Sequence, residues 1–237
     1  MNSETSALSE MLCGSGPLLL DFDGPVCGVF AGDPSPRIAL GISRIVEATG
    51  IEVPLELREH SMELLSWVDT LDVPGLTETV EDALSDAELR AVQTASPTPF
   101  AREVIEAAHR AAKPVAVVSN NSASSISAYL RAQELDEYVW PIVGRPYANP
   151  SEMKPNPIPL LRAAESLNVE PETCVFVGDS VFDIEAGLAA KTPVIGYANA
   201  SHKTKTLADA GAKVIIRSMG DLVSTLQNCP TSSQGAQ

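Results

Sequence analysis

Short apolar runs alternate with stretches of helical periodicity along most of the chain, and their order sets the expected fold. Pro17-Leu18-Leu19-Leu20 is an apolar run that ends in Asp21, and Asp23-Gly24-Pro25 follows as a turn. A run bounded by breakers predicts a strand buried on both faces. After Pro97 the pattern reads helix 99–112, strand 114–119, helix 123–134, strand 138–143 and helix 156–167. It continues with strand 173–177, helix 182–190, strand 193–197 and a helix–strand–helix over 203–227. Strands alternating with helices predict an α/β fold: a doubly wound, Rossmann-like parallel sheet covered on both faces.

Between residues 35 and 97 the texture differs. Ile38, Ile42, Ile45 and Val46 recur at helical spacing, as do Leu57, Leu64, Leu65 and Val68, and later Leu76, Val80 and Leu84. Pro54 and Pro74-Gly75 punctuate these helices, and strand-like alternation is missing. The expectation is a small α-helical domain of residues 35–97 inserted into an α/β core made of 17–34 and 98–227. Residues 1–16 and 228–237, small and polar, are expected to be flexible ends.

Composition narrows the partners. Hydrophobic residues make up 44% of the 237, enough for a packed core. The formal charge, 16 − 31 = −15, argues against a nucleic-acid binder, which would show a basic face. It leaves a small anionic substrate open, because distant charges are screened over ~8 Å at physiological salt. Apolar runs fall short of the roughly 18 residues that span a bilayer, and residues 1–10 lack a signal-peptide pattern. The expected location is therefore cytoplasmic, off the membrane, as a monomer or homodimer. Cys13, Cys27, Cys174 and Cys229 are scattered without CxxC spacing, which suggests neither a zinc site nor a disulfide framework.

The candidate chemistry sits at strand ends, since open α/β sheets bind ligands beyond the carboxyl ends of their strands. The first strand ends in Asp21, with Asp23 just beyond. The second ends in Ser119-Asn120-Asn121, and the strand 173–177 runs into Gly178-Asp179-Ser180, with Asp183 four residues past Asp179. Lys154 precedes the third helix of the βα series. Four acids, a hydroxyl and a lysine thus share one rim. Clustered carboxylates repel one another, and a divalent cation with hard oxygen ligands, of which Mg²⁺ suits phosphate best, relieves that repulsion. A carboxylate can also attack phosphorus and form an acyl phosphate.

Asp21-Phe22-Asp23-Gly24, Ser119, Lys154 and Gly178-Asp179-Ser180-Val181-Phe182-Asp183 resemble the four ordered motifs of the haloacid dehalogenase superfamily. The gaps are 98, 35 and 25 residues (21 to 119, 119 to 154, 154 to 179). The long first gap resembles members with a helical cap between the first two motifs, and phosphoglycolate phosphatase-like enzymes are the nearest subgroup. The resemblance spans 17–227 and implies roles. Asp21 is nucleophile and metal ligand. Asp23 is the general acid and base, with its carbonyl on Mg²⁺. Ser119 and the Asn120 N–H bind phosphate, and Lys154 steadies the phosphoryl charge. Asp179 is a ligand, and Asp183 binds Mg²⁺ directly or through water. The implied substrate is a small phosphorylated metabolite of the phosphoglycolate or sugar-phosphate type. Pro25 departs from the Thr, Ser or Val usual two residues after the second aspartate, so a loop hydroxyl contact made by some members is lost.

Taken singly, each residue has a bland reading: a turn pair, a helix-start acid, a strand end, a solvated lysine. Their joint order favours the site. Arg145 is expected on the surface, His60 away from the substrate, Trp67 and Met62 in the core of the helical insertion, and Cys27 as a packed thiol. Arg37 and Arg44 either line the cleft or are solvated. Gly178-Asp179-Ser180 also resembles the nucleophile block of one lipase family, but the Asp-x-x-His pair near that family's C-terminus is missing; the last histidine is His202. Receiver domains, which share an acidic cluster and a lysine, are half this length and carry their phosphoacceptor on the third strand. A phosphomutase of the same superfamily and a non-catalytic phosphate-binding relative stay open, although an acid at Asp23 fits proton transfer to a leaving alcohol.

Overall fold

The computed structural model describes residues 3–14, 16–32 and 35–229. In chain order, α1 (Ser3–Leu12) leads to β1 (Leu18–Leu20) and the short β2 (Cys27–Gly28). Three helices follow, α2 (Ser35–Glu47), α3 (Ser61–Asp69) and α4 (Leu76–Ala91), and then β3 (Ser96–Pro97). From there the order is α5 (Ala101–Arg110), β4 (Val115–Val118), α6 (Ala123–Ala132), β5 (Val139–Val143), α7 (Ile158–Ser166) and β6 (Val175–Gly178). The chain continues through α8 (Val181–Ala189), β7 (Val194–Tyr197), α9 (Lys203–Asp209), β8 (Val214–Ile216) and α10 (Met219–Asn228).

Six strands form one parallel sheet in the order β5-β4-β1-β6-β7-β8. β1 is central, with Leu19 level with Ala116 of β4 and Phe176 of β6. The apolar runs exist because both faces of the sheet are buried. Leu18 and Leu20 point into one core, with Val115, Val117, Val175 and Val177. Leu19 points into the other, with Ala116, Val118 and Phe176. A leucine buried this completely contributes roughly 2 kcal/mol.

Residues 35–91 contribute no strand to this sheet. α2, α3 and α4 pack on one another through Ile38, Ile42, Val46, Leu64, Leu65, Val68, Val80 and Leu84, the positions that carry the helical spacing. The chain leaves for these helices along β2 and returns along β3. The two pair antiparallel, Cys27 with Pro97 and Gly28 with Ser96, and the Thr98 N–H donates to the Val26 carbonyl at 3.1 Å. A two-residue strand is too short to leave a periodic signal, so this pair was not legible in the sequence.

The N-terminal end corrects two expectations. Residues 3–12 form a helix, and Leu8 and Leu12 are buried in the main core. α1 packs against α10, and Cys13 is disulfide-bonded to Cys229 across 216 residues. The Ala7, Leu8, Met11 and Leu12 spacing makes one apolar stripe on a single short helix, which is weak evidence until a partner helix covers it. At the other end, α10 runs to Asn228, and residues 230–237 lie outside the described residues. Among the described residues no helix is long and apolar enough to cross a membrane.

Candidate active site

The carboxyl ends of β1, β4 and β6 meet at one rim. Asp21 extends β1, its N–H donating to the Val177 carbonyl at 2.9 Å. Ser119 follows β4, and Gly178-Asp179-Ser180 turns β6 into α8. Ser180 and Asp183 cap that helix reciprocally. The Asp183 N–H donates to Ser180 Oγ, and Asp183 Oδ2 accepts from the N–H groups of Asp179 and Ser180 and from Ser180 Oγ. The close packing demands glycine twice. Gly24 has φ +109°, and a Cβ there would lie 2.4 Å from the Asp179 carboxyl; one on Gly178 would lie 2.3 Å from Asp183 Cβ.

Lys154 is buried at the centre of the cluster. Its Nζ donates to Asp21 Oδ1 at 2.7 Å, to Asp183 Oδ1 at 2.6 Å and to the Val118 carbonyl at 3.0 Å. Burial would lower its pKa, but Asp183 and then Asp21 outweigh that and hold the ammonium charged. The lysine is positioned by Asn120, whose side chain donates to the Lys154 carbonyl at 3.0 Å and accepts from its N–H at 2.9 Å.

Burial pushes the Asp21 carboxyl well above the usual carboxylate range; Lys154 opposes this, while Asp183 and Asp179 add to it. Asp23 is pushed up to about 6 by burial, against the Val29 N–H, which donates to its Oδ1 at 2.9 Å. Asp179 is also raised by burial, opposed by Lys203. Lys203 and Asn199 both donate to Asp179 Oδ2, at 2.5 and 3.0 Å. The sequence reading missed these two. Both follow β7 at the same rim, and a count of strand ends extended to that strand reaches Asn199.

Ser119 is buried, with its Oγ 3.2 Å from Asn121 Oδ1. Behind it lies a network that corrects the expected surface placement of Arg145. The Arg145 side chain is fully buried. It donates to Glu81 at 2.8–3.0 Å, to Glu88 at 2.7 Å and to the Asn120 carbonyl at 2.7 Å. Glu88 also accepts from the Ser122 N–H at 2.8 Å and from the Asn121 side chain at 3.2 Å. Helix α4 is thereby joined to the loop that carries Ser119 and Asn120.

A cavity of about 300 Å³ opens over Asp21, Asp23, Ser119, Asn120, Lys154, Asp179 and Asp183. All seven site residues expected from the sequence line it. Its outer wall includes Phe30, Phe182 and the segment Glu59–Glu63 at the start of α3. His60 and Met62 lie in that segment, so His60 is closer to the site than expected, and Met62 faces the cavity as well as packing on the core. Arg44 is exposed and Trp67 packs on the core. Cys27 is a buried thiol that burial pushes up.

Oxygens of Asp21, Asp179 and Asp183 lie within 4.8 Å of one another, and all three residues are buried. Four carboxylates, counting Asp23, face two ammonium groups, Lys154 and Lys203. The upward pull of Asp183 and Asp179 on Asp21 reflects that shortage of positive charge. Hard oxygen donors short of positive charge fit a divalent metal ion.

The chain is similar to known proteins in sequence and in fold. Over 128 residues the chain is 28% identical to the phosphoglycolate phosphatase of Escherichia coli, covering 54% of this chain and 50% of that one. The chain thus spans about half the length of the curated relatives it matches. A hydrolase from Pseudomonas syringae superposes with a TM-score of 0.67 at 19% identity, over 90% of this chain and 98% of the other. A haloacid dehalogenase-like protein of unknown function from Agrobacterium tumefaciens superposes at 0.57 with 26% identity, over 90% and 98%. The model of the haloacid dehalogenase-like hydrolases matches residues 18–191, a stretch that holds all four motifs, and the chain belongs to that family.

Proposed function

We propose that the protein is a Mg²⁺-dependent phosphatase that hydrolyses a small phosphorylated metabolite through an aspartyl-phosphate on Asp21, with residues 35–97 acting as a cap over the site. The observation that carries this reading is Lys154 Nζ, bonded at once to Asp21 and Asp183 at the floor of the cavity. An ammonium there orients the Asp21 carboxylate and supplies charge where phosphoryl oxygens would gather. The E. coli relative's name, phosphoglycolate phosphatase, supports the same reaction class.

A carboxylate oxygen of Asp21 attacks phosphorus, and the P–O bond to the leaving alcohol breaks. The departing oxygen takes a proton from Asp23. The resulting Asp23 carboxylate then accepts a proton from water, which attacks phosphorus, releases inorganic phosphate and restores Asp21. Ser119 Oγ and the Asn120 N–H hold the non-bridging oxygens, and Lys154 balances their charge. Asp21, Asp179, Asp183 and the Asp23 carbonyl would hold Mg²⁺, with Asp183 direct or through water. When bound, the ion supplies the positive charge that this carboxylate set lacks.

The test is phosphate release from p-nitrophenyl phosphate with Mg²⁺, followed by rapid quench with labelled substrate. Asp21→Asn abolishes both turnover and labelling. Asp23→Asn loses ~10²–10⁴-fold on esters with poor leaving groups, and with an activated ester it accumulates label on Asp21. Turnover by Asp21→Asn, or no label in Asp23→Asn, rules the assignment out.

A further inference from the structure

The outer wall of the cavity carries negative charge. Glu59 and Glu63 line it, and both are exposed at the mouth rather than neutralised inside the core. The described residues include every lysine and arginine of the chain, and among them only Lys154 lines this cavity. Its three donors are already engaged by Asp21, Asp183 and the Val118 carbonyl at the floor. His60 is the one other side chain of the lining able to carry positive charge, and Glu59 and Glu63 flank it. The first turn of α3 also faces the cavity, and a helix start is equivalent to about half a positive charge. Glu63 in that turn and Glu59 just before it exceed this with two negative charges. The rest of the lining outside the floor carries no charge: Phe30, Met62 and Phe182 are apolar, and Ser61, Asn121 and Ser180 are neutral.

From this we infer that the substrate is a phosphate monoester whose far end is uncharged or cationic, and that a far carboxylate or second phosphate is disfavoured. The inference rests on the phosphatase reading and narrows its substrate class. A far carboxylate would meet two like charges and leave its own hydrogen-bonding demand unmet by any free cation, whereas a hydroxyl or an amine would find acceptors in Glu59 and Glu63. Discrimination of this kind comes from repulsion of the wrong group as much as from attraction of the right one.

Three esters of matched size test it: 2-phosphoglycolate, 2-hydroxyethyl phosphate and O-phosphoethanolamine, assayed with the full chain and Mg²⁺ beside p-nitrophenyl phosphate. We expect kcat/KM for the hydroxyethyl and aminoethyl esters to exceed that for phosphoglycolate by about tenfold or more. In the doubly substituted Glu59→Lys, Glu63→Lys protein the ratio of phosphoglycolate to phosphoethanolamine should rise at least about tenfold. Both positions are exposed, so the readout is a ratio within one folded protein. Turnover of p-nitrophenyl phosphate with phosphoglycolate as the best of the three overturns the inference alone, as does a ratio that the double substitution leaves in place. No turnover of any ester overturns the phosphatase reading and this inference with it.

Discussion

The Arg145 guanidinium grips the Glu81 carboxylate through Nε and Nη2 at 2.8–3.0 Å, although the two residues lie 64 positions apart and both side chains are buried. Glu88 completes the cluster from the same face of α4. Removing the guanidinium leaves two carboxylates without water or a counter-charge. Arg145→Met is therefore expected to cost about 3–5 kcal/mol in urea unfolding. Adding Glu81→Gln to that variant should recover part of the loss, because one of the two stranded charges is gone. A loss below about 1 kcal/mol would show that the cluster does not bear on stability.

The bond between Cys13 and Cys229 closes nearly the whole chain into a loop of 216 residues' separation. Chain entropy puts the effect of so long a loop at up to about 5 kcal/mol. Dithiothreitol, or Cys13→Ser, should lower the Tm, and dithiothreitol should have no further effect on the Cys13→Ser protein. Alkylation of unfolded, unreduced protein should label only Cys27 and Cys174. Labelling of all four cysteines before reduction would contradict the pairing.

Asp23 titrates near 6 in the folded protein against an ordinary value of 3.8, so the folded state binds its proton more tightly than the unfolded chain does. Its contribution to stability is complete below about pH 4 and is lost as the pH rises through 6. Asp23→Asn keeps an oxygen for the Val29 N–H but carries no charge. In excess chelator that variant should gain on the native sequence between pH 4 and 7, by up to about 3 kcal/mol, and the gap should then stay level. Thermal melts across that range decide it; a gap that shrinks with rising pH has the wrong sign.

Divalent metal should bind the cluster independently of turnover. Mg²⁺ at about one hundred times its dissociation constant stabilises a folded protein by about 2.7 kcal/mol, visible as a rise in Tm. Asp179→Asn should reduce that rise, and activity lost to chelator should return with Mg²⁺. Ca²⁺ should support activity poorly, since it takes more ligands in looser geometry. A Tm indifferent to Mg²⁺, or full activity in chelator, would count against metal at this site.

Much of this was legible because the relevant signals are local. Leu18–Leu20 is apolar at every position because both faces of β1 are covered, and the first polar residue after it, Asp21, marks the rim. Ser119 and Asp179 are read in the same way from β4 and β6. Arg145 left no such mark. A charged residue in a loop reads as solvated unless its partners are known, and Glu81 and Glu88 sit on what looks like the polar side of α4. Burial of α1 was hidden because its apolar stripe acquires meaning only against α10. The cysteine pair obeys no spacing rule, since its ends are brought together by those same two helices.

The β2–β3 pair has a consequence for timing. Asp23 bridges to Cys27 in β2, and the N–H that fixes its carboxyl belongs to Val29, on the strand of chain leaving for α2. Thr98, on the returning strand, donates through its hydroxyl to the Gly24 carbonyl. If residues 35–97 swing as the proposed cap, Asp23, the proton donor of the proposed mechanism, is tied to their pivot. A rotation there would redirect its carboxyl in the same movement, so that admission of a substrate and arming of the acid would become one event, with no separate signal needed between them.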